Sequence, residues 1–196
     1  FGMHIGELNG FPEEFVITAG CDVDPARLDN FSAKCPNAKT YLDGDAFLAD
    51  KDVELVAVAV RSPQHVDYAI RALKAGKYVV AEKPLALTTK ALAKLKAASA
   101  KYPGKLFVRH NRRYEPAFNH IIEIMRSGIL GDVFEIKLCR HNFQFRDDWQ
   151  TLVDCGGGQL NNWGPHIIDH ALFLLESPVD SMWSDLKNVA ALGDAE

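Results

Sequence analysis

The chain has 196 residues, of which 47% are hydrophobic and 24% are charged, and its formal net charge is −4. This composition is ordinary for a globular protein, and the mixing of acidic and basic residues along the chain argues against a nucleic-acid-binding or membrane-binding protein. No apolar segment approaches the roughly 20 residues that a membrane span needs. The four cysteines also lack the spacing of a zinc site.

The two ends of the chain are unusual for a complete protein. Phe1 stands where an initiator methionine is expected and opens into a predicted helix, and residues 192–196 end without a closing element. We therefore expect a fragment. The scattered cysteines favour buried free thiols, which predicts a cytoplasmic location. A periplasmic location stays open, because a signal peptide could precede residue 1.

Strand and helix patterns alternate through about residue 110. Short apolar runs predict buried strands at residues 15–21, 53–60, 77–82 and 106–108. Between them, helix starts are predicted at Asp24-Pro25, Ser62-Pro63 and Thr88. This alternation with short connections predicts an α/β fold, namely a doubly wound parallel sheet over residues 1–112.

The pattern changes beyond Arg112. Residues 116–127 and 160–175 are predicted helices, residues 133–145 alternate like a longer strand, and a further strand is expected near 182–189. A long half-exposed strand after the parallel units indicates the start of an α+β domain. We assign it to residues 113–196.

Polar segments follow the first two predicted strands. Asp22 ends the first, where a dinucleotide-binding fold carries a carboxylate that accepts hydrogen bonds from the adenosine ribose. Capping of a local turn is the alternative. Ser62-Pro63-Gln64 follows the second strand, where amides at a helix start can contact a phosphate or ribose. An ordinary helix start is the alternative there.

Glu82-Lys83-Pro84 follows the third predicted strand. A lysine at the carboxyl end of a parallel strand can point into a ligand crevice, where its ammonium group stabilises developing negative charge on a substrate oxygen. A solvated lysine paired with Glu82 is the alternative. The bond between Lys83 and Pro84 is also a candidate for the cis form.

A run of three glycines at 156–158 precedes the most informative helix. Glycine lets a backbone approach a ligand closely. Asn162, His166 and Asp169 fall on one helix face if the turn after Asn162 stays helical. A neutral His166 could take a proton from an alcohol while hydride leaves carbon. A satisfied core histidine is the alternative, and His170 is a weaker candidate.

Further side chains could contact a substrate. A solvated loop is the alternative for those that follow the fourth predicted strand, and core packing is the alternative for the tryptophans. The candidates are Arg112, Arg113, Tyr114, Trp149 and Trp163.

Taken in order and spacing, these motifs resemble the glucose–fructose oxidoreductase / inositol dehydrogenase (Gfo/Idh/MocA) family over essentially the whole chain. The motifs are Asp22, Ser62-Pro63-Gln64, Glu82-Lys83-Pro84 and the run from Gly156 to Asp169.

The resemblance implies a Rossmann-type domain that binds NAD or NADP, here without its first strand and glycine motif. A C-terminal domain with an open antiparallel sheet would follow. It also implies hydride transfer at a hydroxyl carbon of a sugar, inositol or related polyol. Lys83 matches the active-site lysine and His166 the catalytic histidine, with Asn162 beside them. Homo-oligomers of the complete protein are also expected.

The same resemblance assigns cofactor binding and substrate contacts. The cofactor-binding residues would be Asp22, Ser62, Pro63, Gln64, Glu82 and Lys83. The substrate contacts would be Arg112, Tyr114, Trp163 and Asp169. Because a carboxylate repels the 2′-phosphate of NADP, Asp22 favours NAD.

Two positions depart from the family pattern. Asn162 stands where the family often has aspartate, and an amide cannot relay a proton; Asp67 stands where a histidine is frequent. Asn162 keeps an inactive cofactor-binding homologue open as an alternative to a dehydrogenase. The resemblance also leaves an NAD-using glycosidase open, because the related sequences include such enzymes.

Overall fold

A computed structural model of the chain describes residues 2–141, 145–189 and 192–196. It divides into two compact units. The first comprises Phe1–Val60, Gln64–Glu82 and Thr89–Phe107, and the second comprises Arg61–Pro63, Lys83–Thr88 and Val108–Glu196.

The first unit alternates helices and short strands. Its helices are α1 (Gly2–Leu8), α2 (Pro25–Lys34), α3 (Gly44–Ala49), α4 (His65–Lys74) and α5 (Thr89–Ser99). Its strands are β1 (Ala19–Cys21), β2 (Lys39–Tyr41), β3 (Leu55–Val58), β4 (Tyr78–Ala81) and β5 (Leu106–Val108). β2 and α3 carry no strong apolar pattern, and the sequence did not predict them.

The strands form two sheets, in which β1 and β2 pair in parallel, as do β3 and β4. β1 pairs with β2, with Gly20 opposite Thr40, and the second sheet has the order β3-β4-β5. In that sheet Leu55 of β3 lies opposite Tyr78 of β4, and the two strands run parallel. The predicted α/β fold with parallel strands is therefore confirmed.

Local sequence explains where the helices begin. The Asp24 side chain accepts a hydrogen bond of 3.0 Å from the Ala26 amide, and Pro25 occupies the first turn of α2. This is the predicted N-cap, which supplies an acceptor for an amide that has no partner inside the helix. Helix α4 ends just before Gly76. This glycine has a φ of +80°, which glycine adopts without steric cost.

The core of the first unit lies between β3, β4 and the helices that pack on them. Val79 and Leu73 are fully buried, and Leu95 of α5 is 1% exposed. α4 contacts both β4 and α5, so its buried face fills the space beside the sheet. Such burial of aliphatic side chains contributes about 1.5–3 kcal/mol per residue to folding.

The second unit contains helices and tight turns. The helices are α6 (Pro116–Arg126), α7 (Gln159–Asn162) and α8 (Gly164–Leu175), and 3₁₀ turns occupy Asn111–Tyr114, Trp149–Thr151 and Val153–Cys155. The Phe118 ring of α6 stacks on the His170 ring of α8 with centroids 3.8 Å apart, and Phe173 packs against its edge.

The strands predicted at 133–145 and 182–189 are wrong for the described residues of those segments, which have no regular secondary structure. Residues 142–144 of the first segment lie outside the described part. A strand is stable only when a neighbour satisfies its backbone hydrogen bonds. Neither segment pairs with another described segment, and Phe134 and Trp183 are 97% and 84% exposed. The expected antiparallel sheet is accordingly not formed by the described residues.

No described helix is both long enough and apolar enough to cross a membrane. All four cysteines are free thiols.

Candidate active site

Lys83 and Asn162 are joined within the second unit. The Lys83 ammonium group donates to the Asn162 backbone oxygen at 2.8 Å and to its side-chain Oδ1 at 3.1 Å. Asn162 is the last residue of α7, and its amide donates to Gly158 at 3.0 Å. The peptide bond between Lys83 and Pro84 is cis, as predicted. Both of these acceptors are uncharged, so they orient the ammonium group without neutralising it.

A small pocket lies beside this pair. Ser62, Trp149 and Gly157 line it together with Lys83 and Asn162. Ser62 is only 5% exposed. The pocket thus brings together residues from four segments that the sequence singled out, at 62–64, 82–84, 149 and 156–170.

The glycines at 156–158 allow other segments of the same chain to pack closely against them. A Cβ at Gly157 would lie 2.5 Å from the backbone oxygen of Gln150, and one at Gly156 would lie 2.7 Å from a methyl carbon of Leu87. Gly156 also has a φ of +69°, in the left-handed region. The close approach predicted for a ligand is therefore made to the protein itself in the described structure.

His166 lies in the first turn of α8 and is 6% exposed. Its ring centroid is 5.8 Å from that of Trp163 and 6.5 Å from that of His110, both edge-on. Its Nδ1 atom is buried without a hydrogen-bond partner among the described residues. Burial, and then the positive charges of Lys83, Arg112 and neighbouring histidines, lower the pKa of His166 from 6.5 to about 4. The imidazole is therefore neutral at neutral pH.

Asp169, one turn further along α8, is held by Arg113. The guanidinium group donates from Nε to Oδ2 at 2.7 Å and from Nη2 to Oδ1 at 2.6 Å, a bidentate pair. The Nδ1 atom of His110 lies 3.8 Å from Oδ2. Burial raises the pKa of Asp169, but the hydrogen bond from Arg113 and the charge of His110 outweigh it, so the pKa falls below its usual value.

Trp163, between α7 and α8, carries two guanidinium groups. The Arg112 Cζ atom lies 4.2 Å from the ring centroid and the Arg140 Cζ atom 3.2 Å from it. Arg112 also forms an ion pair with Glu115. The predicted substrate residues Arg112 and Trp163 thus contact each other.

The other candidates of the second unit have different surroundings. The Nε2 atom of His170 lies 3.2 Å from the Arg112 backbone oxygen, and the ring stacks on Phe118, so this histidine has a packing role. Tyr114 is 79% exposed on its 3₁₀ turn. Pro63 is exposed as well.

The remaining cofactor candidates belong to the first unit. Asp22 follows β1, and its Oδ1 accepts from the Asp24 amide at 3.0 Å while Oδ2 lies 3.7 Å from Arg27. Glu82 follows β4 and lies 3.1 Å from the His4 imidazole. Gln64 is exposed before α4. Each therefore stands directly after a parallel strand or at the helix start that follows one.

Sequence reasoning missed two residues of the cluster around His166. His110 follows β5, and that position at the carboxyl end of a parallel strand is the signal that could have found it. Arg140 lies in the segment predicted as a strand, where nothing in the local pattern indicates its contact with Trp163.

Comparison with known proteins places the chain in a family. A model of the Gfo/Idh/MocA oxidoreductase family, NAD-binding Rossmann fold, matches residues 2–110, and one of the Gfo/Idh/MocA C-terminal domain matches residues 118–196. An uncharacterized oxidoreductase of Schizosaccharomyces pombe is 30% identical over 91% of the chain and 49% of its own length. Inositol 2-dehydrogenase of Acidothermus cellulolyticus is 34% identical over 64% of the chain and 37% of its own length.

A solved structure has the same fold. The NAD-binding protein from Listeria innocua is 34% identical, with a TM-score of 0.70 over 84% of the chain and 47% of its own length. The chain spans about half the length of these relatives, or less. Since both family models match in order along the chain, the chain belongs to the Gfo/Idh/MocA oxidoreductase family.

Proposed function

We propose that this chain belongs to an NAD-dependent oxidoreductase. The enzyme transfers hydride between the nicotinamide ring and a secondary hydroxyl carbon of a sugar, inositol or related polyol. The observation that carries the proposal is an oriented ammonium group close to a buried neutral imidazole. Lys83 is held by Asn162, and its charge acts directly on His166. Alcohol oxidation needs both groups, one to stabilise oxygen charge and one to accept a proton.

The residues that follow β1 and those that precede α4 are the proposed contacts of the dinucleotide. Asp22 is half-buried after β1, and its Oδ1 is already engaged by the Asp24 amide. Oδ2 keeps lone pairs that can accept hydrogen bonds from ribose hydroxyls. Ser62, Pro63 and Gln64 begin the turn that leads into α4, where backbone amides can contact the dinucleotide. When bound, NAD supplies the hydride acceptor for the reaction.

His166 is the proposed acid/base. With a pKa of about 4, it is unprotonated at neutral pH and can accept the proton that the alcohol loses. Its burial excludes water from the ring, which limits loss of that proton to solvent. In the reverse direction the imidazolium ion would return the proton to the new alcohol oxygen.

Lys83 and Asn162 are the proposed positioning pair for the reacting oxygen. An ammonium group has three donors, and its two bonds to Asn162 fix the direction of the lysine chain. Partial negative charge on the substrate oxygen is stabilised by that cation. Trp149, in the same pocket, offers an aromatic face to the C–H surface of a sugar ring.

The test is nicotinamide absorbance with a panel of polyols, using the complete gene product that contains this chain. H166Q should lower kcat by about 100-fold or more, since general acid–base catalysis contributes about 10²–10⁴-fold. The matched control is H120Q, because His120 is an exposed histidine of α6. Unchanged turnover in H166Q would contradict the acid/base role.

K83M should likewise lower kcat, and K90M, in the exposed first turn of α5, should not. Tight NAD binding without turnover of any polyol would instead indicate an inactive cofactor-binding homologue. Release of sugar from a glycoside without net change in the cofactor would indicate an NAD-using glycosidase.

A further inference from the structure

Two cationic side chains and two histidines act on His166 in addition to its burial. The groups whose charges act on its ring are Lys83, Arg112, His110 and His170, and all four lower the pKa of the imidazole. Two carboxylates of this unit are bound by arginines. Asp169 accepts hydrogen bonds from two guanidinium nitrogens of Arg113, and Glu115 forms an ion pair with Arg112. Asp169 also lies 3.8 Å from His110, so both acids are engaged by groups other than the His166 ring.

Arg140 adds a further cation to this group. Its guanidinium lies over the Trp163 ring at 3.2 Å, and the described residues place no carboxylate within 4.0 Å of it. The segments outside the described residues contain no Asp or Glu that could supply one. A guanidinium group over an aromatic ring makes no hydrogen bond to that ring through its five N–H donors, so these can still bind an anion.

Arg112 lies on the same ring at 4.2 Å, so one indole carries two guanidinium groups. Like charges held close together repel, and an anion that binds between or beside them relieves that repulsion. Planar guanidinium donors match the oxygens of a carboxylate or a phosphate in a bidentate arrangement. The centroid of the His166 ring lies 5.8 Å from that of the same indole. An anion bound beside Trp163 would therefore be close enough for one sugar molecule to contact both the arginines and the proposed acid/base.

We propose that the substrate of this site carries an oxyanion, a carboxylate or a phosphate, which Arg140 and Arg112 bind beside Trp163. This rests on the proposed function and names its substrate class as sugar acids or sugar phosphates rather than neutral polyols. Because Arg112 shares its charge with Glu115, Arg140 supplies the larger part of the recognition.

The bound anion also has a catalytic consequence. It offsets the charges of Lys83 and Arg112, which after burial, the larger cause, lower the pKa of His166. An anionic substrate therefore makes His166 a better proton acceptor as it binds. A neutral substrate of the same shape does not.

The first test compares matched probes on the complete gene product with NAD. Calorimetric titration with gluconate and with glucitol compares the same carbon chain with and without a carboxylate. Glucose 6-phosphate and glucose make the corresponding pair for phosphate, and the stronger of the two preferences identifies the oxyanion. We expect at least about tenfold tighter binding of one anion than of its neutral partner, weakening as salt rises. Equal affinity for charged and neutral probes overturns the inference.

The second test uses variants. R140Q should lower the affinity for the preferred anion by about tenfold. It should change the affinity for the matching neutral probe much less. The matched control is R126Q, an exposed arginine in the last turn of α6, which should change neither. Equal losses for both probes in R140Q would mean a structural role and would also overturn the inference.

The two tests separate this inference from the proposed function. Turnover of neutral polyols with no preference for anions leaves the dehydrogenase assignment intact and rejects the anion site. Selective anion binding that R140Q abolishes, without turnover of any probe, supports the anion site and rejects the dehydrogenase assignment.

Discussion

The Lys83 ammonium group donates to both oxygens of Asn162, at 2.8 Å to the backbone and 3.1 Å to the side chain. This joins the segment after β4 to the end of α7 within the second unit. An amide at position 162 can orient the lysine without neutralising it. Asn162 therefore affects the direction of the ammonium group, whereas a carboxylate at the same place would also reduce its charge.

The first prediction concerns the side-chain oxygen of Asn162. N162L has nearly the same size but no acceptor, so the Lys83 ammonium group loses one of these two bonds and gains mobility. We expect kcat of the complete gene product to fall by roughly 10- to 100-fold with little change in the thermal midpoint.

A second variant, N162D, tests the effect of a negative charge at the same position. A carboxylate at 162 offsets the charge of Lys83, one of the causes that lower the pKa of His166, so this pKa should rise above about 4. Histidine NMR titration measures it. A wild-type kcat in N162L, or an unchanged histidine titration in N162D, would contradict the positioning role.

The second prediction links His166 to acid stability. Its pKa is 6.5 unfolded and about 4 folded, so below pH 6.5 the unfolded chain binds a proton that the folded chain does not. The free energy of unfolding should therefore decrease as the pH falls from 6.5 to about 4, by at most about 3.5 kcal/mol. It should not change further through this group below that range.

Urea unfolding across this pH range measures the effect. H166Q cannot titrate at this position, so the slope of its stability against pH should be smaller than that of the wild type. H120Q, which alters an exposed histidine, should keep the wild-type slope. Parallel slopes in H166Q and the wild type would show that the ring is not held neutral by the fold.

Local sequence chemistry predicted much of the first unit. Apolar runs predicted β3, β4 and β5, and the N-cap at Asp24 was confirmed at the first turn of α2. β2 was missed because Lys39–Tyr41 is short and mostly exposed, so its strand conformation depends on pairing with β1 and not on its own pattern.

The second unit depended more on tertiary contacts. The alternation of residues 133–145 predicts a strand, yet a strand needs a partner that the pattern does not reveal. His110 and Arg140 were missed for a similar reason, because only the folded chain brings them to His166 and Trp163. Lys83 and His166 could be singled out because each combines a chemical group with a position after a strand or a glycine run.

The third prediction concerns the glycine run. A methyl group at Gly157 would lie 2.5 Å from the Gln150 backbone oxygen, and backbone cannot move aside as a flexible side chain can. G157A should therefore lower the free energy of unfolding by about 1–3 kcal/mol. G6A is the matched control, since Gly6 lies within α1 with nothing within 4 Å, and it should stabilise the protein by about 0.5–1 kcal/mol. Equal effects of the two changes in chemical denaturation would contradict the close approach.

The fourth prediction concerns the pair of Asp169 and Arg113. D169N removes the charge that accepts two guanidinium bonds and leaves Arg113 and His110 facing a neutral amide. Because Asp169 is only 13% exposed, the loss should be about 1–3 kcal/mol. D185N breaks a pair with Lys187 in which both side chains are exposed, and it should cost under about 0.5 kcal/mol.

The pH dependence of this pair has the opposite sign to that of His166. The pKa of Asp169 is lowered on folding, so its contribution is present above the unfolded value near 3.8 and is lost as the pH falls through the folded value. The difference in stability between the wild type and D169N should therefore shrink below pH 3.8. A difference that stays constant down to strong acid would contradict the ion pair.

The last prediction concerns the choice between NAD and NADP. The Asp22 carboxylate would repel the 2′-phosphate of NADP, while Arg27 lies only 3.7 Å from it. D22S removes the negative charge and frees that guanidinium group to bind a phosphate, so kcat/KM for NADP relative to NAD should rise by about tenfold or more. D29S makes the same change on the exposed face of α2 and is the control. If D22S kept the wild-type cofactor preference while it bound NAD normally, the ribose contact would have to be made by a residue other than Asp22.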